Sequence, residues 1–280
     1  MSNSAAARTV VLTRPEQRNL PLARALEQAS ITYLSQPALE VVPLVKEIPV
    51  NYQPTNYDMV VFVSGQAARC YLKPLYQQVG ELWPLETMIG TVGVSTRQIA
   101  QAEIERYQNQ AGDNLQWRHP PATACNQDSE ALWEILRPEL ASIRRVLIIR
   151  GKTGREWLRQ QLQDQGISVD TFAVYDRRPA HWSIQTAKTL RQQVASNGLV
   201  FLITSSESAE AIFHNLRQLD LLALCKNSVF VVIHERIEKR VQSLGRSAGF
   251  AHSLVVKRCV PTHESMLAAL LKAATSPQVI

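Results

Sequence analysis

Polar residues stand at the ends of several apolar runs, and their types suit the binding of an anion. Arg14 and Arg150 each end one run, and a guanidinium can form bidentate hydrogen bonds to a carboxylate. Ser64 and Ser205 end two other runs, just before predicted helices whose unpaired N–H groups attract carboxylate or phosphate. These residues predict an anion site, although the arginines could form salt bridges and the serines could only cap helices.

The neighbouring residues extend this candidate set. The further candidates for substrate binding are Gly65, Gln66, Thr96, Gly151, Ser206, His234 and Arg236. Thr96 has Ser95 as a rival helix cap, and His234 could donate a proton, although a lone histidine is more often structural. Tyr175 ends an apolar run in a predicted connector, where it could present its hydroxyl to a cleft or simply pack as an aromatic.

Other chemistries lack their motifs in this sequence. The stretch GKTGRE does not match a phosphate-binding loop, no GxGxxG follows a strand, and the run at Gly93–Ser95 is not a GxSxG elbow. The four cysteines are far apart and show no metal-ligand spacing, so we expect reduced core thiols in a cytoplasmic protein, with no metal and no cofactor. Any catalysis would have to rely on positioning.

The charge and hydropathy of the chain narrow the class of partner. The net charge of +6 comes from scattered residues, without the basic and aromatic interleaving of a single-strand binding groove, so we expect no nucleic acid. The modest positive excess does suit an anionic small molecule. No apolar run is long enough to span a membrane, and the N-terminus does not resemble a signal peptide.

The elements that position these residues follow an α/β pattern. Runs rich in Val and Ile without alternation predict buried parallel strands. These runs are Val10–Thr13, Met59–Val63, Ile89–Val92, Val146–Ile149, Leu199–Ile203 and Val229–Ile233. Amphipathic segments follow them, with apolar residues on one helical face at Ala209–Leu216 and Leu132–Leu140. The prediction is an α/β fold with parallel sheets.

A faint internal repeat divides the turns into three types. The strands that end in Arg14 and Arg150 resemble each other, as do those that end in Ser64 and Ser205. The third type pairs IGTVGVSTRQIAQA with VFVVIHERIEKRVQ. Two proline-containing stretches, Pro37–Pro49 and Val174–Pro179, predict extended connectors, and the loop Arg118–Gln127 ends at Asp128, a predicted helix cap.

The ordered motifs resemble those of the uroporphyrinogen-III synthase family. The motifs are LTRP, DMVVFVSGQAA, TVGVSTRQIA, NQDSEALWEIL, RVLIIRGKTGRE, VDTFAVYDRRP and VFLITSSESA, and the resemblance covers residues 9 to 275. It implies two flavodoxin-like domains with parallel sheets, joined by a two-stranded ladder connector. The first domain would comprise residues 1–37 plus 176–280 and the second residues 40–173, with the active-site cleft between them. The repeat alone would equally allow a tandem split near residue 142.

The resemblance also implies a reaction, a lyase step of haem and tetrapyrrole biosynthesis. The substrate would be linear hydroxymethylbilane, which loses its terminal hydroxyl to give an azafulvene. Attack by the last ring through its substituted position gives a spiro intermediate, and reclosure inverts that ring. Simple closure in water gives the type I isomer instead, so the enzyme must select a conformation and stabilise charge. No cofactor is implied.

The residues that match the family motif acquire roles from it. Tyr175 matches the tyrosine that would protonate the departing hydroxyl, because a phenol keeps its proton at neutral pH. Thr96 matches a cleft threonine of the family, and Ser64 and Ser205 match the strand-end serines of its two domains. Many members have an Ile-Gly turn with threonines in the last unit, whereas this chain has Ile233–Ile237, which lacks the hydroxyl; either His234 or Arg236 substitutes, or the position is not essential.

The sequence is compatible with three hypotheses of function. The leading one is the synthase, a cytoplasmic monomer with a possible transient handover of substrate from the upstream bilane-forming enzyme. The alternative is a non-catalytic two-domain binding protein for an anionic metabolite, which the same fold would serve equally well. A nucleotide-using transferase is disfavoured by the missing glycine fingerprint.

Overall fold

The computed structural model describes residues 7–80, 82–108, 114–250, 252 and 254–276. The chain divides into two compact units. Unit 1 comprises Met1–Glu40 and Arg178–Ile280, and unit 2 comprises Val41–Arg177. The sequence placed the two crossings between residues 37 and 40 and between residues 173 and 176.

Short strands alternate with helices along the described chain. The strands are β1 (Thr9–Leu12), β2 (Tyr33–Ser35), β3 (Leu39–Pro43), β4 (Met59–Phe62), β5 (Met88–Thr91), β6 (Trp117–Arg118), β7 (Arg145–Gly151), β8 (Ser168–Pro179), β9 (Leu199–Ile203), β10 (Val229–Val232) and β11 (Val255–Arg258). The helices are α1 (Glu16–Gln28), α2 (Gly65–Val79), α3 (Val94–Gln108), α4 (Ser129–Leu136), α5 (Trp157–Asp164), α6 (Ile184–Asn197), α7 (Ser206–Gln218), α8 (Glu235–Ser247) and α9 (His263–Thr275). Every predicted strand is present, with small differences at the ends.

Unit 1 is built on a parallel sheet in the order β2-β1-β9-β10-β11. Its strands lack alternation because both faces are covered. Val11 and Phe201 belong to the apolar cluster on one face, whereas Val10 and Leu202 belong to the cluster on the other. Helices α7 and α8 pack together, as do α1 and α9. The predicted parallel α/β class is confirmed here.

Unit 2 has a sheet in the order β3-β8-β7-β4-β5-β6, and the strands from β8 to β6 are parallel. Val60 and Phe62 face one apolar cluster, and Met59 and Val61 face the other. The two predicted connectors are β3 and the end of β8, which lie side by side at one edge of this sheet. Helices α2 and α3 pack together, as do α4 and α5.

The internal repeat corresponds to a circular permutation between the two sheets. Unit 1 has its strands in the flavodoxin order 2-1-3-4-5 when they are counted along the chain. In unit 2 the five strands β4 to β8, counted in the same way, have the other doubly wound order, 3-2-1-4-5. If the count starts at β7 and β8 and continues with β4, β5 and β6, the order is again 2-1-3-4-5. The arginine-type strands β1 and β7 therefore occupy equivalent places, as do the serine-type strands β9 and β4.

Two details differ from the sequence expectations. The apolar face predicted to run to Leu140 is interrupted, because α4 ends at Leu136 and Arg137–Ser142 form a 3₁₀ segment. Pro138 lacks the N–H that would continue the helix. Of the cysteines, Cys70 and Cys225 are buried, and burial raises the pKa of the Cys225 thiol to about 12. Cys125 is exposed in its loop, so the expectation of core thiols is wrong for it.

Within the described residues, no helix combines the length and the apolar character needed to cross a bilayer.

Candidate functional site

The arginine-type and serine-type turns of each unit flank the point where the strand order of the sheet reverses, whereas Thr96, His234 and Arg236 follow other strands. In unit 1 this point lies between β1 and β9, which Arg14 and Ser205 follow. In unit 2 it lies between β7, which ends in Arg150 and Gly151, and β4, which Ser64 follows. Open α/β sheets bind ligands outside the carboxyl ends of the strands at this point. The geometry thus gives each unit one candidate anion site.

Ser64 caps α2 through its side chain, whose Oγ accepts a hydrogen bond of 3.1 Å from the N–H of Ala67. The N–H groups of Gly65 and Gln66 lie in the first turn, where a helix offers no acceptor, so they can face an anion. Gly65 also packs closely against α3, because an added Cβ would contact the terminal Cδ1 of Ile99 and require that side chain to shift. The side chain of Gln66 lies along its helix, with Nε2 3.1 Å from Sγ of Cys70.

Tyr175 owes its position to an irregularity in the pairing of β7 with β8. Arg150 pairs with Ala173, but Gly151 pairs with Tyr175, so that Val174 is the extra residue of a bulge. Regular alternation would place Val174 and Tyr175 on opposite faces, yet both belong to the same buried cluster. The ring lies against Gly151, where an added Cβ would be 2.8 Å from Cζ of Tyr175. The absence of a side chain at Gly151 therefore makes room for the ring of Tyr175.

The hydroxyl of Tyr175 has two polar neighbours, although only 4% of the residue is exposed. Its oxygen lies 3.2 Å from Oγ of Ser64 and 3.5 Å from Nη2 of Arg177. The guanidinium of Arg177 also lies over the tyrosine ring, 5.7 Å from its centroid. The ring is packed in the buried cluster of unit 2, and its hydroxyl contacts Ser64 at the end of β4 and Arg177 in the same strand. A role for this hydroxyl in chemistry stays a prediction.

Arg150 is buried and already paired within unit 2. Its Nη1 forms an ion pair with Glu156, and its Nε donates to the carbonyl oxygen of Gly151 at 3.3 Å. Gly154 packs close to the same guanidinium. The nearby Arg155 pairs with Glu130. Direct binding of a ligand by Arg150 stays a prediction, and its present partners fix the end of β7.

Thr96 lies in the first turn of α3 and is buried, but neither it nor Ser95 caps the helix. Because α3 begins at Val94, both lie inside it. The first N–H of α3, that of Val94, donates a hydrogen bond of 2.8 Å to Oε1 of Gln127, which lies in the loop before α4. The predicted cap Asp128 is confirmed, since its Oδ1 accepts from the N–H of Ala131 at 2.9 Å.

In unit 1, Arg14 is half-buried, and its Nη2 donates to the carbonyl oxygen of Arg18. Burial and the nearby Arg18 lower the pKa of Arg14 from its ordinary value, although a guanidinium remains charged. Its Nε is buried without a partner among the described residues. Asn19 fixes this turn, because its Nδ2 donates to the carbonyl oxygens of Leu12 and Arg14 at 3.1 and 2.8 Å.

Ser205 is the counterpart of Ser64. Its Oγ accepts from the N–H of Ser208 at 2.9 Å and donates to Oγ of Ser208 at 2.8 Å, which caps α7. The hydroxyl of Ser206 is buried and has no hydrogen-bond partner in the described part of the chain. The two serine-type turns thus share their capping geometry, in agreement with the repeat.

His234 and Arg236 occupy the third turn of unit 1. The Nδ1 of His234 accepts a hydrogen bond of 3.0 Å from the N–H of Arg236, so the imidazole caps α8 as a serine or threonine would. Both side chains are exposed. His234 therefore caps α8 through its side chain, whereas a direct role for either residue in binding stays a prediction.

Sequence reasoning missed three residues that shape these turns. Arg177 is one of two adjacent arginines, and nothing in the sequence distinguishes it from Arg178. Gln127 stands 33 residues after the N–H that it caps, a separation that no local motif reports. Asn19 could have been found, because a polar residue on the apolar face of α1 is an exception that requires a partner.

The sequence matches the family described as uroporphyrinogen-III synthase HemD over residues 21–255. Among solved structures, the chain resembles the uroporphyrinogen-III synthetase of Helicobacter pylori, with 15% identity, a TM-score of 0.55, and coverage of 95% of this chain and 99% of that one. It also resembles a mutant uroporphyrinogen III synthase of Thermus thermophilus, with 14% identity, a TM-score of 0.49, and coverage of 95% and 96%. The first likeness supports the fold, and the family match carries the relationship.

The cap of α8 gives a direct test of the role of His234. His234→Ala removes the acceptor, and we expect the free energy of unfolding to fall by about 1 kcal/mol, as for other lost caps. His234→Asn restores an acceptor and should recover most of that loss. Urea unfolding followed by circular dichroism measures both variants. Equal stability of the alanine variant and the unchanged protein would show that the imidazole contributes nothing as a cap.

Proposed function

Because the chain belongs to the uroporphyrinogen-III synthase family, we propose that it converts linear hydroxymethylbilane to uroporphyrinogen III, with loss of water and inversion of the last ring. The observation that carries this proposal is the family match over residues 21–255. The duplicated turns at the strand-order reversals support it. They provide what a substrate with many carboxylates requires: backbone N–H groups in helix first turns, with arginines beside them.

The proposal assigns one polyanionic substrate to the turns of both units. Each pyrrole ring of the substrate carries an acetate and a propionate arm, so the carboxylates are spread along an extended molecule. The first turns of α2 and α7 and the arginine Arg14 would receive some of these groups. Holding the two ends of a flexible chain near each other is the main requirement for ring closure, and positioning of this kind contributes several kcal/mol to catalysis.

Tyr175 would supply the proton that the leaving group requires. The C–O bond of the terminal hydroxymethyl group breaks with its electron pair on oxygen, and the phenol proton converts the leaving oxygen to water. The azafulvene cation that remains is attacked by the last ring. When the closed macrocycle regains its aromatic pyrrole, it releases a proton that returns to the Tyr175 phenolate, so the net change is the loss of one water.

The proposal extends to the setting in which the chain works. The family resemblance favours a monomer, and we propose a cytoplasmic enzyme. Because the free substrate closes spontaneously to the type I isomer, a brief contact with the bilane-forming enzyme would limit this loss. Sedimentation of the purified protein, alone and mixed with the upstream enzyme, tests the monomeric state and the contact between the two enzymes.

The proposed activity is tested by separation of product isomers. Hydroxymethylbilane is incubated with and without the protein, and the products are oxidised and resolved by chromatography. We expect the type III isomer to dominate with the protein, whereas the type I isomer dominates without it. Tight binding of the bilane with only the type I isomer formed would reject the synthase and favour a non-catalytic binding protein.

The acid role of Tyr175 predicts a loss of turnover in Tyr175→Phe. The variant lacks the proton donor, and kcat should fall by at least about tenfold, at the low end for general acid catalysis. Some activity should remain, because departure of the hydroxyl also proceeds without a catalyst. Tyr107→Phe is the matched control, since it removes a phenol hydroxyl from a partly exposed position on α3 of the same unit. An unchanged kcat in Tyr175→Phe would contradict the role.

A binding role for Arg14 predicts a different kinetic signature. Arg14→Ala should raise KM more than it lowers kcat, because carboxylate binding is shared by the ground state and the transition state. Arg24→Ala removes an exposed arginine from α1, the helix that follows Arg14, and is the control. Arg150→Ala should also raise KM, with an added loss of stability because Arg150 is buried and paired with Glu156. A fall in kcat alone would contradict simple binding.

A further inference from the structure

We propose that Ser64 and Arg177 are positioning residues that hold the hydroxyl oxygen of Tyr175 as a hydrogen-bond acceptor. This arrangement leaves the phenol proton free for the substrate and stabilises the phenolate that forms when the proton is transferred. The inference rests on the proposed synthase function, and it adds two residues to the acid. Each of its steps follows from contacts within unit 2.

The ring of Tyr175 is held in a fixed position. The bulge at Val174 turns Tyr175 toward Gly151, and the missing side chain there lets the ring lie against the backbone of β7. The carbonyl oxygen of Tyr175 accepts a hydrogen bond of 2.8 Å from the N–H of Lys152. Backbone and ring are thus both held, so small changes around the hydroxyl alter its hydrogen bonds without moving the residue.

The second step follows from the hydrogen-bonding capacity of Ser64. A serine hydroxyl has one proton to donate and two lone pairs to accept with. One lone pair of Ser64 already receives the N–H of Ala67, and the oxygen of Tyr175 is 3.2 Å away. When the serine proton points at that oxygen, Ser64 caps α2 and donates to the phenol at the same time. Ser64 therefore links the helix N-terminus to the acid.

The third step is the charge on Arg177. A guanidinium can only donate, so its contact with the phenol oxygen, at 3.5 Å, makes that oxygen an acceptor. Its position over the ring, 5.7 Å from the centroid, keeps the positive charge close whether or not the hydrogen bond is short. Donated hydrogen bonds and a nearby positive charge can stabilise negative charge as it develops on an oxygen during proton transfer. With two donors on its oxygen, Tyr175 has its own proton left to give.

The proton transfer can be written in full with these partners. The Tyr175 O–H bond breaks, and its proton joins the oxygen that leaves the substrate as water. The phenolate oxygen keeps the bonding electron pair and is then stabilised by the Ser64 hydroxyl and the Arg177 guanidinium. The proton released when the last pyrrole ring regains its aromaticity later restores the phenol. Neither positioning residue gains or loses a proton in the cycle.

A double-mutant cycle tests the role of Arg177. Arg177→Gln keeps a donor but removes the charge, and we expect kcat to fall by about fivefold, within the range for one hydrogen bond, with little change in KM. In the Tyr175→Phe background the same substitution should lower kcat by less than about twofold, because its target is gone. Arg178→Gln is the control for loss of an exposed positive charge from the same strand.

Ser64 is tested through two substitutions. Ser64→Ala loses both the cap and the donor, whereas Ser64→Thr keeps both, so threonine should restore most of the kcat that alanine loses. Thr262→Ala removes a hydroxyl cap from α9 in unit 1 and reports the effect of a lost cap alone. The fall in kcat for Ser64→Ala should exceed that for Thr262→Ala and should shrink in the Tyr175→Phe background.

The outcomes separate this inference from the proposed function. If the protein forms the type III isomer, but Arg177→Gln and Ser64→Ala lower kcat by the same factors with and without the Tyr175 hydroxyl, the positioning role is wrong and the synthase stands. A rise in KM that persists in the Tyr175→Phe background would show that Arg177 binds a substrate carboxylate instead. Absence of the type III isomer with the unchanged protein would reject the proposed function itself.

Discussion

The first turn of every helix carries backbone N–H groups that have no acceptor within the helix, and this constraint shapes the polar edge of both sheets. The chain meets it with side chains placed where strands turn into helices: Ser64, Ser205, the imidazole of His234 and the distant amide of Gln127. Each satisfies one N–H and leaves others available. The requirement that stabilises these helices therefore also leaves N–H groups suited to carboxylates, and we propose that the same turns serve both folding and binding.

Tyr175 differs from these polar residues, because it is positioned by the geometry of a strand and not by the capping of a helix. A regular β8 would direct Tyr175 and Val174 to opposite faces, and the bulge removes that alternation. The phenol of Tyr175 therefore has two polar neighbours: Ser64, which follows β4, and Arg177, which lies in β8 like the tyrosine. The phenol, the cap and the charge come from two short segments of one unit, the end of β4 and the end of β8, so we expect a change in either segment to affect the other.

The elements of this fold could be predicted because each strand is a short run of Val and Ile and each helix has one apolar face. The order of the strands could not, since the permutation that relates the two sheets depends on pairings such as β4 with β7, remote in sequence. Ser64, Ser205 and Tyr175 were predicted from their places in motifs. Gln127 and Arg177 were not, because their partners are defined by a loop and a bulge that leave no local pattern. The exposed Cys125 was misjudged although its loop, Arg118–Gln127, was predicted, because the expectation of core thiols rested on cysteine spacing alone.

We propose that the strand-end turns of each unit bind carboxylates of the substrate, and amide hydrogen exchange measures this directly. The protein is compared alone and with uroporphyrinogen III under anaerobic conditions, and peptides covering each turn are followed by mass spectrometry. The account predicts slower exchange at the first turn of α2, around Gly65 and Gln66, and at the first turn of α7, around Ser206, in the same titration. Protection confined to one unit, or to the opposite ends of the strands, would contradict it.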